Sequence, residues 1–124
     1  MNGMNRCEFI GNLVAKPELK ISDSGVYFGK MRIACNMNEW NKDEKKAEKS
    51  VHFQQIKIFG ALAKNCNKYL DKGALVHVLG FNKYEDYNER DWVHAREIRF
   101  LKSAEQMGAL DVSDDSASRS VVPD

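Results

Sequence analysis

Side chains of two very different kinds alternate along residues 51–59, Val-His-Phe-Gln-Gln-Ile-Lys-Ile-Phe. On a β-strand, the period of two sends Phe53, Gln55, Lys57 and Phe59 to one face and Ile56 and Ile58 to the other. The isoleucines already supply the apolar face that a half-buried strand needs. Two phenylalanines are left sharing the opposite face with an amide and an ammonium. That mixture has a definite non-covalent chemistry: unpaired bases stack on the rings, and phosphates approach the cations. A strand buried on both faces, with Phe53 and Phe59 as ordinary core, is the alternative reading of the same residues.

A preceding strand over about 27–38 bears on that choice. Its apolar face is Met31, Ile33, Cys35 and Met37; its polar face is Lys30, Arg32, Ala34, Asn36, Asn38 and finally the indole of Trp40. If the two strands are neighbours, their outer faces merge into one aromatic and basic surface. Trp40, Phe53 and Phe59 are then its stacking rings, and Lys30, Arg32, Asn36, Gln55 and Lys57 its phosphate or polar contacts. Lys83, in a later strand, joins the cations. Trp92 is either a further ring or a packing residue at a strand start. Residues 41–50 mix lysines and carboxylates without a hydrophobic period and read as an exposed hairpin loop.

The elements that must carry these residues are short strands and one helix. Residues 5–14 alternate as a first strand that Pro17 interrupts, and Ser22-Asp23-Ser24-Gly25 is a turn into the second. Residues 61–72 place Leu62, Ala63, Cys66, Tyr69 and Leu70 on one helical stripe, with Gly73 as the C-cap. A nearly continuous apolar strand from Leu75 runs through Phe81 and Lys83 toward Tyr87. A charged turn, Asn88-Glu89-Arg90-Asp91, then leads into a last strand from Trp92 to about Leu101. The order β-β-β-α-β-β predicts an all-β chain with one helix: a five-stranded OB-fold barrel, whose second and third strands and flanking loops bind oligonucleotides.

Composition sets the outer limits. A chain of 124 residues with 43% hydrophobic and 30% charged residues is one soluble domain, with core enough to need no staple. Residues 1–102 hold 18 Lys and Arg against 13 Asp and Glu, a balance of +5. Residues 103–124 hold Arg119 against Glu105, Asp111, Asp114, Asp115 and Asp124, a balance of −4. The division predicts a folded body over 1–103 and an acidic, mostly disordered tail over 104–124, without helix or strand period. Cys7, Cys35 and Cys66 are odd in number and lack CxxC spacing, which suits a reducing, cytoplasmic setting. No apolar run reaches the ~20 residues of a membrane span, and Met1-Asn2-Gly3-Met4 has no signal-peptide pattern.

Asn5-Arg6-Cys7-Glu8-Phe9-Ile10-Gly11-Asn12-Leu13 with Pro17-Glu18-Leu19 resembles the opening of bacterial-type single-stranded DNA-binding proteins. Phe59-Gly60-Ala61-Leu62-Ala63, Tyr69-Leu70-Asp71-Lys72-Gly73 and Val76-His77-Val78-Leu79-Gly80 continue the likeness in order, over residues 4–101. The resemblance implies an OB-fold that binds single-stranded DNA with little sequence preference, in replication, recombination or repair. It also implies a homotetramer, with a dimer as the alternative. The family's base-stacking aromatics fall on Trp40, Phe53, Phe59 and Tyr87, the second and fourth standing where tryptophan is commoner. Gln54 stands where the family's subunit interface commonly has histidine. The family's tail ends in Ile-Pro-Phe after aspartates, whereas this chain ends Val121-Val122-Pro123-Asp124. Docking of replication or repair enzymes through the tail is therefore not expected, and a phage- or plasmid-borne variant fits.

Other classes have less behind them. His52, His77 and His94 are isolated, with His77 reading as a satisfied barrel residue; there is no zinc spacing and no GxxxxGK[ST] loop. No cofactor, metal or catalytic residue is expected. An OB-fold nuclease would need clustered carboxylates for a metal, and Glu85, Asp86, Glu89 and Asp91 are dense enough to name, although a solvated hairpin tip accounts for them. An accessory OB module of a replication complex, acting through protein contacts alone, is the remaining alternative.

Overall fold

In the computed structural model, which describes residues 2–85 and 90–110, the chain runs β1 (Cys7–Leu13), β2 (Lys20–Ile21), β3 (Tyr27–Asn41), β4 (Lys46–Phe59), α1 (Gly60–Tyr69), β5 (Leu75–Glu85), β6 (Arg90–Lys102) and α2 (Ala104–Leu110). Tyr87, Asp86, Glu89 and the tail from Asp111 onward lie outside the described residues.

The strands hydrogen-bond in the order β1-β5-β6-β4-β3-β2, and a β1–β3 pairing closes the sheet on itself. Closure comes from Asn12 opposite Ala34 and Leu13 opposite Ile33. The pairings are antiparallel except β4 with β6, a parallel ladder of two residue pairs, Ile56 with Val93 and Lys57 with His94. Two-residue β2 apart, this is the five-stranded OB barrel that the element order predicts.

Alternation decides what fills it. Met31, Ile33 and Cys35 from β3, Ile56 and Ile58 from β4, Val76 and Val78 from β5, and Val93 and Ile98 from β6 all point inward and are buried. Helix α1 adds Ala63 and Cys66 from one stripe, followed by Leu70. Burial pushes the Cys35 thiol up to about 11 and that of Cys66 up to about 12. Two glycines let the backbone close. Gly60, at φ +67, turns the chain from β4 into α1 directly after Phe59. Gly80 lies at a bulge in the β5–β6 ladder, where a Cβ would come within 2.1 Å of the His94 carbonyl oxygen.

Several expectations need correction. Residues 41–50 are not a loop. β3 and β4 stay in register out to Asn41 opposite Lys46, leaving a turn over 42–45. The Asn41 side-chain oxygen holds that turn by accepting from the backbone N–H groups of Asp43 (2.9 Å) and Glu44 (3.1 Å). The hydrophobic period is missing because this outer arm has no core behind it; even Met37 and Val51 are exposed. Helix α1 ends at Tyr69, not Lys72. The Leu70 N–H bonds the Cys66 carbonyl, Tyr69 is exposed, and Gly73 serves the next turn, its N–H donating to the Leu13 carbonyl at 2.8 Å. Past residue 103 the chain is first a helix, α2, opened by a capping box. The Ser103 hydroxyl accepts from the Gln106 N–H (3.1 Å), and the Gln106 side chain accepts from the Ser103 N–H (2.8 Å).

Candidate nucleic-acid interface

The β3–β4 register brings the two outer faces together. Lys30 stands opposite Lys57, Arg32 opposite Gln55, Ala34 opposite Phe53, Asn36 opposite Val51 and Trp40 opposite Ala47. Trp40 is 63% exposed, Phe53 48% and Phe59 44%. Trp40 lies six positions along β3 from Ala34, which faces Phe53, and Phe59 lies six positions along β4 from Phe53. At ~3.3 Å per residue the three rings stand roughly 20 Å apart along the hairpin. The Arg32 guanidinium lies 4.3 Å from the centre of the Phe53 ring, so cation and ring form one unit.

Toward the barrel the same face continues across β6 onto β5 and becomes enclosed. His94 stacks between Phe59 (5.5 Å between ring centres) and Phe81 (5.3 Å), and Arg96 covers Phe81 at 4.9 Å. This ladder crosses from β4 through β6 to β5. Burial, with the nearby Lys83 and Lys57 ammoniums, holds the His94 imidazole below its usual range, while Glu85 pulls the other way.

Trp92 is only 4% exposed, with the Lys30 ammonium 5.6 Å and the Lys57 ammonium 4.9 Å from its ring centre. Lys57 is itself engaged by Glu85, at 2.6 and 2.5 Å to the two carboxylate oxygens, and both side chains are largely buried.

Among the residues singled out by sequence, the structure thus brings Lys30, Arg32, Asn36, Trp40, Phe53, Gln55, Lys57 and Phe59 onto one surface. Lys83 pairs with Trp92 across β5–β6, bordering the same surface. Of the two readings left open for Trp92, its burial at 4% exposure under the Lys30 and Lys57 ammoniums favours the packing residue. Lys57, expected at a phosphate, is held in an ion pair with Glu85. Glu85, read as part of a solvated hairpin tip, is instead a buried partner; Asp86 and Glu89 lie outside the described residues, as does Tyr87. His77 is satisfied as expected, by Glu8 at 2.5 Å. Among the described residues no group of His, Cys, Asp and Glu is arranged to hold a metal ion, and no helix is long and apolar enough to cross a membrane.

The ladder of Phe81, His94 and Arg96 was not foreseen. Its signal was present: Phe81, Lys83 and Glu85 alternate in β5 as Lys30, Arg32 and Trp40 do in β3. What the sequence does not mark is the β4–β6 pairing that sets His94 between the two phenylalanines.

An OB barrel carrying an exposed row of rings and cations on its second and third long strands is a single-strand-binding architecture. The sequence agrees: residues 4–106 match the single-strand binding protein family, and the chain belongs to it. That is a family of binding proteins rather than enzymes. Among its relatives is single-stranded DNA-binding protein 1 of Staphylococcus aureus (strain MSSA476), 33% identical over 88 residues, which are 71% of this chain and 54% of that one. The single-stranded DNA-binding protein of Helicobacter hepaticus is 32% identical over 107 residues, 86% of this chain and 61% of that one. The chain thus spans somewhat over half the length of these relatives.

Solved structures share the fold. The Plasmodium falciparum single-strand binding protein in complex with single-stranded DNA superposes with a TM-score of 0.72 at 18% identity, covering 82% of this chain and 98% of that one. The wild-type single-stranded DNA binding protein from Thermus aquaticus gives 0.71 at 21% identity, covering 82% and 52%.

Proposed function

We propose that this chain binds single-stranded DNA with little sequence specificity, protecting it during replication, recombination or repair. Bases stack on Trp40, Phe53 and Phe59, with Tyr87 carried over from the family likeness. Phosphates meet Lys30, Arg32 and Lys83, and Asn36 and Gln55 give polar contacts along the same track. The observation that carries this reading is the exposure of Trp40 and Phe53 on one face of the β3–β4 hairpin, with Arg32 packed on Phe53. Stacking on rings discriminates little between bases, because every base has a π-face. Trp92 serves as the floor on which the lysines rest rather than as a stacking platform.

Fluorescence titration tests the reading. Trp40 emission should quench on adding oligothymidylate and not on adding duplex of equal length. Three phosphate contacts at ~0.7 released counterion each give a slope of log affinity against log salt of about −2. Binding duplex as tightly as single strands would overturn the proposal. Assembly as a homotetramer, with a dimer as the alternative, is part of the same proposal, and light-scattering mass decides it.

A further inference from the structure

Glu85 is a carboxylate only 9% exposed, on a surface that also carries Lys30 and Lys57. Lys30 and Lys57 stand directly opposite each other across β3–β4, both over the indole of Trp92. Two ammoniums converging on one ring make a place for an anion, and Glu85 fills it from β5 with both oxygens on Lys57. Without nucleic acid this carboxylate offsets the repulsion between the facing lysines. It does not satisfy everything around it. Trp92 Nε1 and His94 Nε2 are buried without a hydrogen-bond partner among the described residues, and His94 Nε2 stays 3.6 Å from the nearer Glu85 oxygen. The place is one of converging positive charge and unmet nitrogens, with room in its chemistry for a more richly accepting anion.

We propose that Glu85 is a built-in competitor of a DNA backbone phosphate for Lys57, setting the affinity of this face for single strands below what its cations alone would give. The proposal rests on the single-strand-binding reading above and names its affinity-limiting residue. Because the pair is largely out of solvent, added salt screens it less than it screens exposed cations. Lys57 is then nearly silent in the wild-type salt dependence, and removing Glu85 adds a phosphate contact.

The test compares oligothymidylate binding by wild type, Glu85→Gln and the double variant Lys57→Gln/Glu85→Gln across a salt series. Glu85→Gln should steepen the slope by about 0.7, which at about 50 mM salt is about an eight-fold gain that fades toward 1 M. The double variant should match wild type within about two-fold, with unchanged slope, because in neither is there a Lys57 ammonium relieved of the Glu85 carboxylate. Wild-type affinity and slope in a folded Glu85→Gln would overturn the proposal. So would a double variant that loses about eight-fold with a flatter slope, since Lys57 would then already reach phosphate. If Glu85→Gln does not fold, the double variant, in which two amides replace the ion pair, decides alone. Failure of the wild type to bind single strands at all would instead sink the underlying function.

Discussion

The outer arm of the β3–β4 hairpin and the barrel wall beneath it are built from the same kinds of residue and end in opposite states. On the arm, Trp40 and Phe53 are open and Arg32 lies on its ring in solvent. On the wall, Trp92 is covered by two lysines, Lys57 is held by Glu85, and Phe59 is the exposed end of a ladder that encloses His94. The difference is one of neighbours. Among the described residues, β3 beyond Ala34 and β4 before Gln54 pair only with each other, whereas Lys57 and Phe59 have β6 and then β5 alongside. Side-chain alternation says which way a residue points; the next strand over decides whether it is reachable.

Replacing the two tryptophans should separate the regions most sharply. Trp92→Ala removes a buried aromatic and should cost ~3–5 kcal/mol of stability, read as a lower melting temperature. Trp40→Ala should leave melting within ~0.5 kcal/mol of wild type, because the ring is exposed. A thermally silent Trp92→Ala would erase the contrast. Binding should show the reverse for the arm. Trp40→Ala and Phe53→Ala should each weaken oligothymidylate binding about ten-fold or more, for ~1–3 kcal/mol per stacked base. Unchanged affinity in both would show that the arm does not carry the strand.

A smaller effect belongs to the wall. His94 has its imidazole held below the usual range by burial and by Lys83 and Lys57, so the folded protein keeps it neutral where the unfolded chain takes a proton. The unfolded state then binds more protons, and this part of the stability, present above pH ~6.5, is lost as pH falls through that value. Melting followed from pH 7.5 to 5.5 should drop more steeply for wild type than for His94→Phe, which keeps a ring in the stack. The smallest perturbation is a thiol reagent at pH 8. Cys7, part-exposed, should react well ahead of Cys35 and Cys66, which burial pushes up to about 11 and about 12. Three equal rates would mean the core is not closed.

Much of this was legible in the sequence, for identifiable reasons. The alternation of Met31, Ile33 and Cys35 against Lys30 and Arg32, and of Ile56 and Ile58 against Phe53 and Lys57, placed the barrel interior and the outer surface correctly. What sequence pattern missed depended on contacts between elements far apart in the chain. Nothing local marks Glu85 as the partner of Lys57, 28 residues away, nor Trp92 as the ring beneath two lysines. The extended hairpin was hidden for the opposite reason, since a strand pair with no core behind it loses the hydrophobic period that announces a strand. The start of α2 was readable: Ser103 and Gln106 are a capping box at the expected spacing.

The parallel ladder between β4 and β6 has two residue pairs, as few as the β1–β3 joint and fewer than the other joints that close the ring of strands. Lys57 reaching Glu85, and Phe59 reaching Phe81 through His94, both run crosswise over that joint on its outer side. They act as stitches over a short seam, so surface side chains do part of the work that backbone bonding does elsewhere. Amide hydrogen exchange should register this as a gradient around the barrel. Protection should be deepest along β1–β5 and shallower at Lys57 and His94, falling further there when Phe59 or Phe81 is replaced by alanine. On the proposed function, one of the two shortest joints of the barrel would lie directly under the surface that meets single strands.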